Sequence, residues 1–202
     1  MGQFDERCAH KSRDHFDLKL VSRVQKGDRE AFDLLLVKYQ NRVAVIVSRY
    51  LDDEADITDV TYEIFLRAYR SIHTYRAETT FHIWLLKLAI QHLQSYLQKN
   101  KAKKTHSTSI ESGRSKEAIS KLSQLDSTSM SKRSQLTVGI ENALKVMPAE
   151  LSVALLLKEF DELSYLEIAD VMRCPVATIR SRIFRARELL ENTLKSLSKN
   201  DE

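Results

Sequence analysis

The sequence predicts an all-α protein: two small helical domains joined by a flexible, serine-rich linker, the second containing a helix-turn-helix. Three observations predict it. Only 4 glycines and 2 prolines occur in 202 residues, which leaves little punctuation for turns and favours helices with short connections. Apolar residues recur three and four apart through most of residues 18–98 and 136–195, the period of a helix with one buried face. Between these segments, residues 107–134 hold ten serines and few apolar side chains, too little buried surface to offset the entropy of ordering.

Each element has its own signal. Residues 1–17 read as an N-terminal tail; MGQFDERCAHKSRDHF has no apolar core and predicts no signal peptide. It begins Met-Gly, but Glu6 stands where a myristoylation pattern wants Ser or Thr. The first domain spans 18–104. A short helix stops at Gly27, and Asp28 starts the next, with Phe32, Leu35, Leu36, Tyr39, Val43, Ile46 and Val47 on one face. The acidic run LDDEADITD opens a helix carrying Val60, Ile64, Phe65 and Ala68. After RSIHTYRAETT, with Thr79 and Thr80 at the start, comes FHIWLLKLAIQHLQSYLQ, apolar nearly all round. Its one clear polar stripe is Lys87, Gln91, Gln94 and Gln98, so it belongs inside a bundle with that stripe reaching water or a ligand.

Residues 105–134 read as the linker, with one weak helix near 116–125. A flexible 28-residue chain has an end-to-end distance of roughly 30 Å and stretches to about 90 Å. The two domains can therefore sit more than one duplex turn apart. The second domain spans 135–198, followed by a tail at 199–202. Ser164-x-x-Glu167 is a capping box that starts a short helix. Cys174 interrupts it, and Pro175 suits the first position of another. Two short helices with a tight junction, the second basic, form the helix-turn-helix pattern.

Charge is sorted in this second domain. Residues 135–202 carry 9 basic and 11 acidic side chains, yet 175–190 alone carries four arginines against one glutamate. At 100° per residue, Val176, Ile179, Ile183, Ala186 and Leu190 share an inward face, and Ala177, Ser181, Phe184, Arg185 and Glu188 point the other way. Arg180 and Arg187 flank one edge and Arg182 the other. Such a rod suits a major groove: outward Arg and Ser meet base edges while flanking Arg reaches phosphates. A solvated helix would more often mix Glu and Lys at i, i+4.

The remaining composition excludes several classes. Cys8 and Cys174 are the only cysteines, so there is no disulfide framework, which fits a reducing cytoplasm. The longest apolar runs are far too short to span a bilayer, so no direct membrane insertion is expected. No GxxxxGK[ST] or GxSxG run supports nucleotide hydrolysis or esterase chemistry. DDEADITD lacks the glycine and spacing of a calcium loop, Cys8-x-His10 has no second pair at zinc spacing, and His73, His82, His92 and His106 form no ligand pair. No cofactor, metal or enzymatic activity is expected.

LSYLEIADVMRCPVATIRSRIFRAREL resembles the promoter-reading motif of bacterial RNA polymerase sigma factors of the extracytoplasmic-function group, similar to sigma-E. VQKGDREAFDLLLVKYQNRVAVIVSRY and DVTYEIFLRAYRSIHTYR resemble that group's polymerase-binding module. The resemblance covers roughly residues 18–98 and 136–195, in the family's order. It implies a cytoplasmic transcription initiation factor for an extracytoplasmic stress response, with core RNA polymerase, promoter DNA and an anti-sigma factor as partners. The first domain (region 2-like) would dock on the polymerase clamp and open the −10 element; the second (region 4-like) would read the −35 element as duplex. The implied −35 contacts are Arg180, Ser181, Arg182, Phe184 and Arg185, to which the arginine row adds Arg187. The implied polymerase-binding helix runs from Asp59 to Arg70, with Asp59, Tyr62, Glu63, Phe65, Arg67 and Arg70; by pattern alone it is a solvated face of mixed charge.

Strand opening needs aromatic platforms, pockets for extruded bases and basic tracks for phosphate. Arg76, Thr79, Thr80, Phe81, Trp84, Lys87 and Gln91 are the candidates, although Phe81 and Trp84 suit core packing equally well. Lys99, Lys101, Lys103 and Lys104 add an electrostatic exit. Ala77 and Glu162 stand where the family often has Gly, Tyr62 where it has Gln, Gln91 where it has Asn, and Ala177 where Gly is frequent. Two other readings fit part of the pattern: a helix-turn-helix regulator that does not open DNA, and a sigma-like decoy for an anti-sigma partner.

Overall fold

The structure, a computed structural model, describes residues 15–106 and 132–199, all in helices, turns and short loops. The expected weak helix near 116–125, together with Cys8 and His10, lies outside them.

The first domain is built from α1 (15–25), α2 (Arg29–Val47), α3 (Glu54–Ser71), a single 3₁₀ turn (Ile72–Thr74) and α4 (Phe81–His106). Gly27 takes φ 98° and ends α1, and Asp28 caps α2 by accepting from the Ala31 N–H at 3.2 Å. The Arg23 guanidinium beside it, with that amide, holds the Asp28 carboxyl below the usual carboxylate range. Asp53 caps α3 from the Asp56 N–H, with Glu54 and Asp56 in its first turn, so the acidic run serves the positive end of a helix. Thr80 caps α4 through Oγ1, which accepts from the Ile83 N–H at 3.2 Å. Helix α1 begins three residues before Leu18, and its Asp17 is buried, accepting from Lys38 Nζ at 2.5 Å and from the Tyr39 hydroxyl. Gln25 donates to the carbonyls of Ile72 and Tyr75, tying α1 to the turn that precedes α4.

The expected apolar faces are the core. Phe32, Leu35, Tyr39, Val43, Ile46 and Val47 of α2 meet Val60, Ile64, Phe65 and Ala68 of α3 over α4, which buries Phe81, Ile83, Leu85, Leu86, Ala89, Ile90 and Leu93.

The second domain comprises α5 (Lys132–Val146), α6 (Ala149–Glu159), α7 (Tyr165–Met172) and α8 (Val176–Lys199). Helix α8 packs against all three others. Val153, Ala154 and Leu157 of α6 meet Ile168, Val171 and Met172 of α7 and Ile179, Ile183 and Ala186 of α8. The two domains do not stand apart. Helix α4 lies across α7, and the buried apolar residues of both domains form one continuous cluster. Helix α4 runs two residues past the expected domain end, and α5 begins inside the expected linker.

Two of the positions where glycine was replaced keep a glycine-like backbone. Ala77 has φ 58° and Glu162 has φ 54°, both left-handed. That conformation costs a residue with a Cβ roughly 1–2 kcal/mol. Ala77→Gly and Glu162→Gly are each expected to raise stability by about 1 kcal/mol in chemical denaturation. Ser164→Ala, which removes the capping box, is expected to lower it by about 1 kcal/mol.

Candidate nucleic-acid and polymerase interfaces

The junction between α7 and α8 sets the direction of the reading helix. Ser164 Oγ accepts from the Glu167 N–H at 3.2 Å, and Glu167 Oε2 accepts from the Ser164 N–H at 2.7 Å. At the other end Arg173 turns left-handed (φ 52°), which reverses the chain before Pro175. The helical wheel of α8 is borne out: Ile179, Ile183 and Ala186 are buried, Val176 and Leu190 half-buried, and Ala177, Ser181, Phe184, Arg185 and Glu188 exposed. Phe184 is 70% exposed, a large apolar ring in the middle of a polar face.

The arginines differ in environment. Arg185 and Ser181 are exposed and line a cavity of about 580 Å³ with Glu150, Thr178 and Arg182. Arg180 lies over the Tyr165 ring, 5.9 Å from its centre. Arg182 is half-buried, its Nη1 3.6 Å from Cys174 Sγ. Arg187 donates to Glu159 Oε1 from Nη2 at 2.6 Å and from Nε at 3.2 Å. The Glu159 carboxylate raises its pKa above the usual guanidinium value, so Arg187 is held by the domain itself.

The expected strand surface divides in three. Arg76 is exposed and Thr79 and Thr80 are half-buried on a loop closed by the Tyr75 hydroxyl, which donates to the Thr79 carbonyl at 2.6 Å. Phe81 is corrected: it is 1% exposed and packs among Tyr39, Tyr75 and Trp84. A ring sealed on every side supports a platform and cannot be one. Trp84 is half-exposed, edge-on to Tyr75 with centres 5.5 Å apart. Lys87 and Gln91 are half-buried beneath the second domain: Lys87 pairs with Asp170, and the Gln91 amide, oriented by its neighbour, accepts from Arg173 Nη1 at 2.9 Å.

On α3, Asp59, Tyr62, Glu63, Arg67 and Arg70 are exposed along one side. Tyr62 is 61% exposed, and Glu63 Oε2 lies 2.8 Å from His92 Nε2 of α4. Phe65 is corrected, for it is 3% exposed and packs edge-on against Phe32, with centres 6.5 Å apart. Among the described residues no group of His, Cys, Asp and Glu could hold a metal, and no helix is long and apolar enough to cross a membrane.

Sequence reasoning missed the groups between the domains. Arg42 Nε donates to Asp161 Oδ1 at 2.6 Å, and His82 Nε2 lies 2.9 Å from the same oxygen, with the ring turned away from a directed hydrogen bond. Lys38 and Arg42, four apart on a largely apolar helix, were the available signal. Tyr50 is also packed in here; burial, helped by the Glu150 carboxylate and opposed by Arg182, pushes its phenol up to about 12. Burial lowers the pKa of Arg49 beside it, against the pull of Glu141 on α5.

Comparison with known proteins gives one answer. The family model for Sigma-70 region 2 matches residues 35–103, and that for Sigma-70, region 4 matches 138–190. The ECF RNA polymerase sigma-E factor of Escherichia coli is 38% identical over 185 residues, covering 90% of this chain and 95% of that one. The RNA polymerase sigma-H factor of Pseudomonas aeruginosa is 36% identical over 183 residues, with the same coverage. Two solved structures share the fold. The sigma factor RpoE of Bartonella quintana, in complex with the anti-sigma factor NepR, has TM-score 0.60 at 19% identity, covering 81% of this chain and 96% of that one. CnrH, in complex with the cytosolic domain of CnrY, has TM-score 0.55 at 18% identity, covering 90% and 98%.

Arg185→Ala is expected to weaken binding to the recognised duplex by about 1–3 kcal/mol, as lost base readout. Arg187→Ala, already engaged by Glu159, is expected to lose less. Fluorescence anisotropy with a specific and a scrambled duplex checks both; equal losses on the two duplexes would make Arg185 a phosphate contact only.

Proposed function

The chain belongs to the sigma-70 family, in its extracytoplasmic-function group, and from that premise we propose how its parts share the work of a transcription initiation factor. It binds core RNA polymerase and directs it to promoters. The single observation that carries this is the two family matches in order on one chain, region 2 at 35–103 and region 4 at 138–190. A regulator that only binds duplex has no need of the first.

The exposed face of α8 reads the −35 element: Ser181 and Arg185 toward base edges, Phe184 against an apolar group such as a thymine methyl, Arg180, Arg182 and Arg187 toward phosphate. The exposed face of α3, with Asp59, Tyr62, Glu63, Arg67 and Arg70, docks on the polymerase. Tyr62 is the anchor, since aromatic rings carry much of the energy at interfaces. The loop at Arg76, Thr79 and Thr80, with Trp84, Lys87 and Gln91 of α4, holds the opened −10 strand by stacking and phosphate contact. Opening then needs no nucleotide hydrolysis by this chain, provided that strand binding outweighs the lost base pairing. The protein works in the cytoplasm. An anti-sigma partner restrains it, as the complexes described for RpoE and NepR suggest for the group.

Run-off transcription with purified core polymerase is the test. The parent protein is expected to give product from its promoters and Arg185→Ala to give markedly less. Tyr62→Ala is expected to lose core binding by about tenfold or more, the scale of an interface anchor. Absence of product with intact polymerase binding would leave the decoy reading in its place.

A further inference from the structure

The loop that carries the proposed strand contacts is shaped mostly by bonds of short range. Residues 75–80 join the 3₁₀ turn to α4 outside any regular element. Ala77 within it holds φ 58° without the freedom of a glycine. The Tyr75 hydroxyl donates to the Thr79 carbonyl at 2.6 Å, and the Thr74 hydroxyl to the Ser71 carbonyl at 2.7 Å. Thr80 Oγ1 accepts from the Ile83 N–H. Each of these spans three or four residues. Such a bond shapes a turn but does not fix where the turn sits on the domain.

Gln25 supplies a tie of long range. It is the last residue of α1 and follows the buried Val24. Its Nε2 donates to the Ile72 carbonyl at 2.9 Å and to the Tyr75 carbonyl at 3.1 Å, 47 and 50 residues along the chain. An amide nitrogen has two N–H bonds to give, and the two carbonyls take both. The end of α1 is itself held. The Arg23 carbonyl accepts from the Lys26 and Asp28 amides at 3.0 and 3.1 Å, and the Arg23 guanidinium pairs with the Asp28 carboxylate. The two carbonyls bracket the turn immediately before Arg76. Tyr75 passes the constraint on to α4, because its ring stands edge-on to Phe81 and to Trp84. One side chain of α1 thus fixes both the loop and the support of the exposed ring.

We propose that Gln25 is a positioning residue of the −10 strand site. It acts through the loop and not by contact with DNA. Its two bonds keep Arg76, Thr79, Thr80 and Trp84 in one arrangement before the strand arrives, so that the cost of ordering the loop falls on folding and not on promoter opening. Helix α1 thereby belongs to the strand-opening apparatus. This rests on the strand-binding role proposed for Arg76 and Trp84.

The test uses the full chain assembled with core polymerase, and a labelled single-stranded oligonucleotide of the −10 region taken from a mapped start site. Gln25→Met, similar in length but without donors, is expected to bind the strand about five- to tenfold more weakly, the scale of one stacked base partly lost. Its affinities for the −35 duplex and for core polymerase are expected to match the parent. Trp84 is the single tryptophan of the chain, so its emission in the free protein reports on the loop, and acrylamide is expected to quench it more readily in Gln25→Met. Gln25→Lys, whose ammonium is a donor with the reach for both carbonyls, is expected to restore the quenching and the strand affinity. Gln25→Met combined with Ser22→Lys, at an exposed position one turn earlier on α1, carries the same charge without the donor and is expected to restore neither. Unchanged strand affinity in Gln25→Met, a loss shared equally by strand, duplex and core binding, or a Gln25→Lys no better than that double variant overturns the proposal. Arg76→Ala separates this from the functional reading. If it binds the strand as the parent does, that reading fails and the proposal with it; if it loses affinity while Gln25→Met does not, only the positioning role fails.

Discussion

The first half of helix α4, residues 81–93, has almost no side that water can be allowed to reach, and the rest of the molecule is arranged around that constraint. Seven of its apolar side chains between Phe81 and Leu93 are buried. Helices α2 and α3 cover two sides of it, and α7 from the other domain lies across another. At about 25 cal/mol per Å² of apolar surface, an uncovered side of such a helix is a substantial penalty. The few polar groups of that half, His82, Lys87, Gln91 and His92, are therefore either at the rim of the contact or paired within it. The same helix supplies Trp84, the ring proposed above for stacking. Core, strand surface and domain docking are three uses of one element, so a change at any of its faces is felt by the others.

The sequence was legible where one signal decided the matter locally. The inward and outward faces of α8 follow from a 100° turn per residue, and the Ser164–Glu167 box fixed where α7 begins. It was less legible where a residue had two plausible employments. Phe65 and Phe81 lie in stretches that resemble family motifs, and both rings are spent on the core; resemblance marks a segment as functional without saying which of its side chains face outward. Ala77 and Glu162 show the reverse. The family often has Gly at both positions, and the backbone there is left-handed although neither residue is glycine. The spacing of Lys38 and Arg42 marked a basic edge on α2, but nothing local announced its partner Asp161, 119 residues away from Arg42 in the chain. A pairing across that separation is set by how two folded bodies meet, and no periodicity encodes it.

The arginine row illustrates how a protein keeps some strong donors exposed while anchoring others on its own side chains. Arg187 is held by Glu159, and Arg180 rests on Tyr165, so two of the four side chains have lost part of their rotamer freedom before any DNA arrives. Ordering a long side chain on binding costs about 0.5–1.5 kcal/mol. Pre-placement of the flanking arginines reduces that cost, while exposed Arg185 and Phe184 keep their capacity for the base edges. The acidic remainder of the domain has a second effect. It limits nonspecific attraction to any polyanion, so that selectivity rests on the row and less on net charge.

Docking of the two domains does not have to be strong to be effective, because they belong to one chain. A tether of a few tens of residues holds its ends at an effective concentration in the millimolar range. A contact whose free energy as a separate association is only about −4 kcal/mol would then be half closed. The Arg42–Asp161 and Lys87–Asp170 pairs and the apolar seam between α4 and α7 make up this contact. A contact near that depth gives way to any partner that binds the separated domains more tightly by a few kcal/mol. Its ionic part also weakens as salt screens the exposed Lys87–Asp170 pair before the buried Asp161.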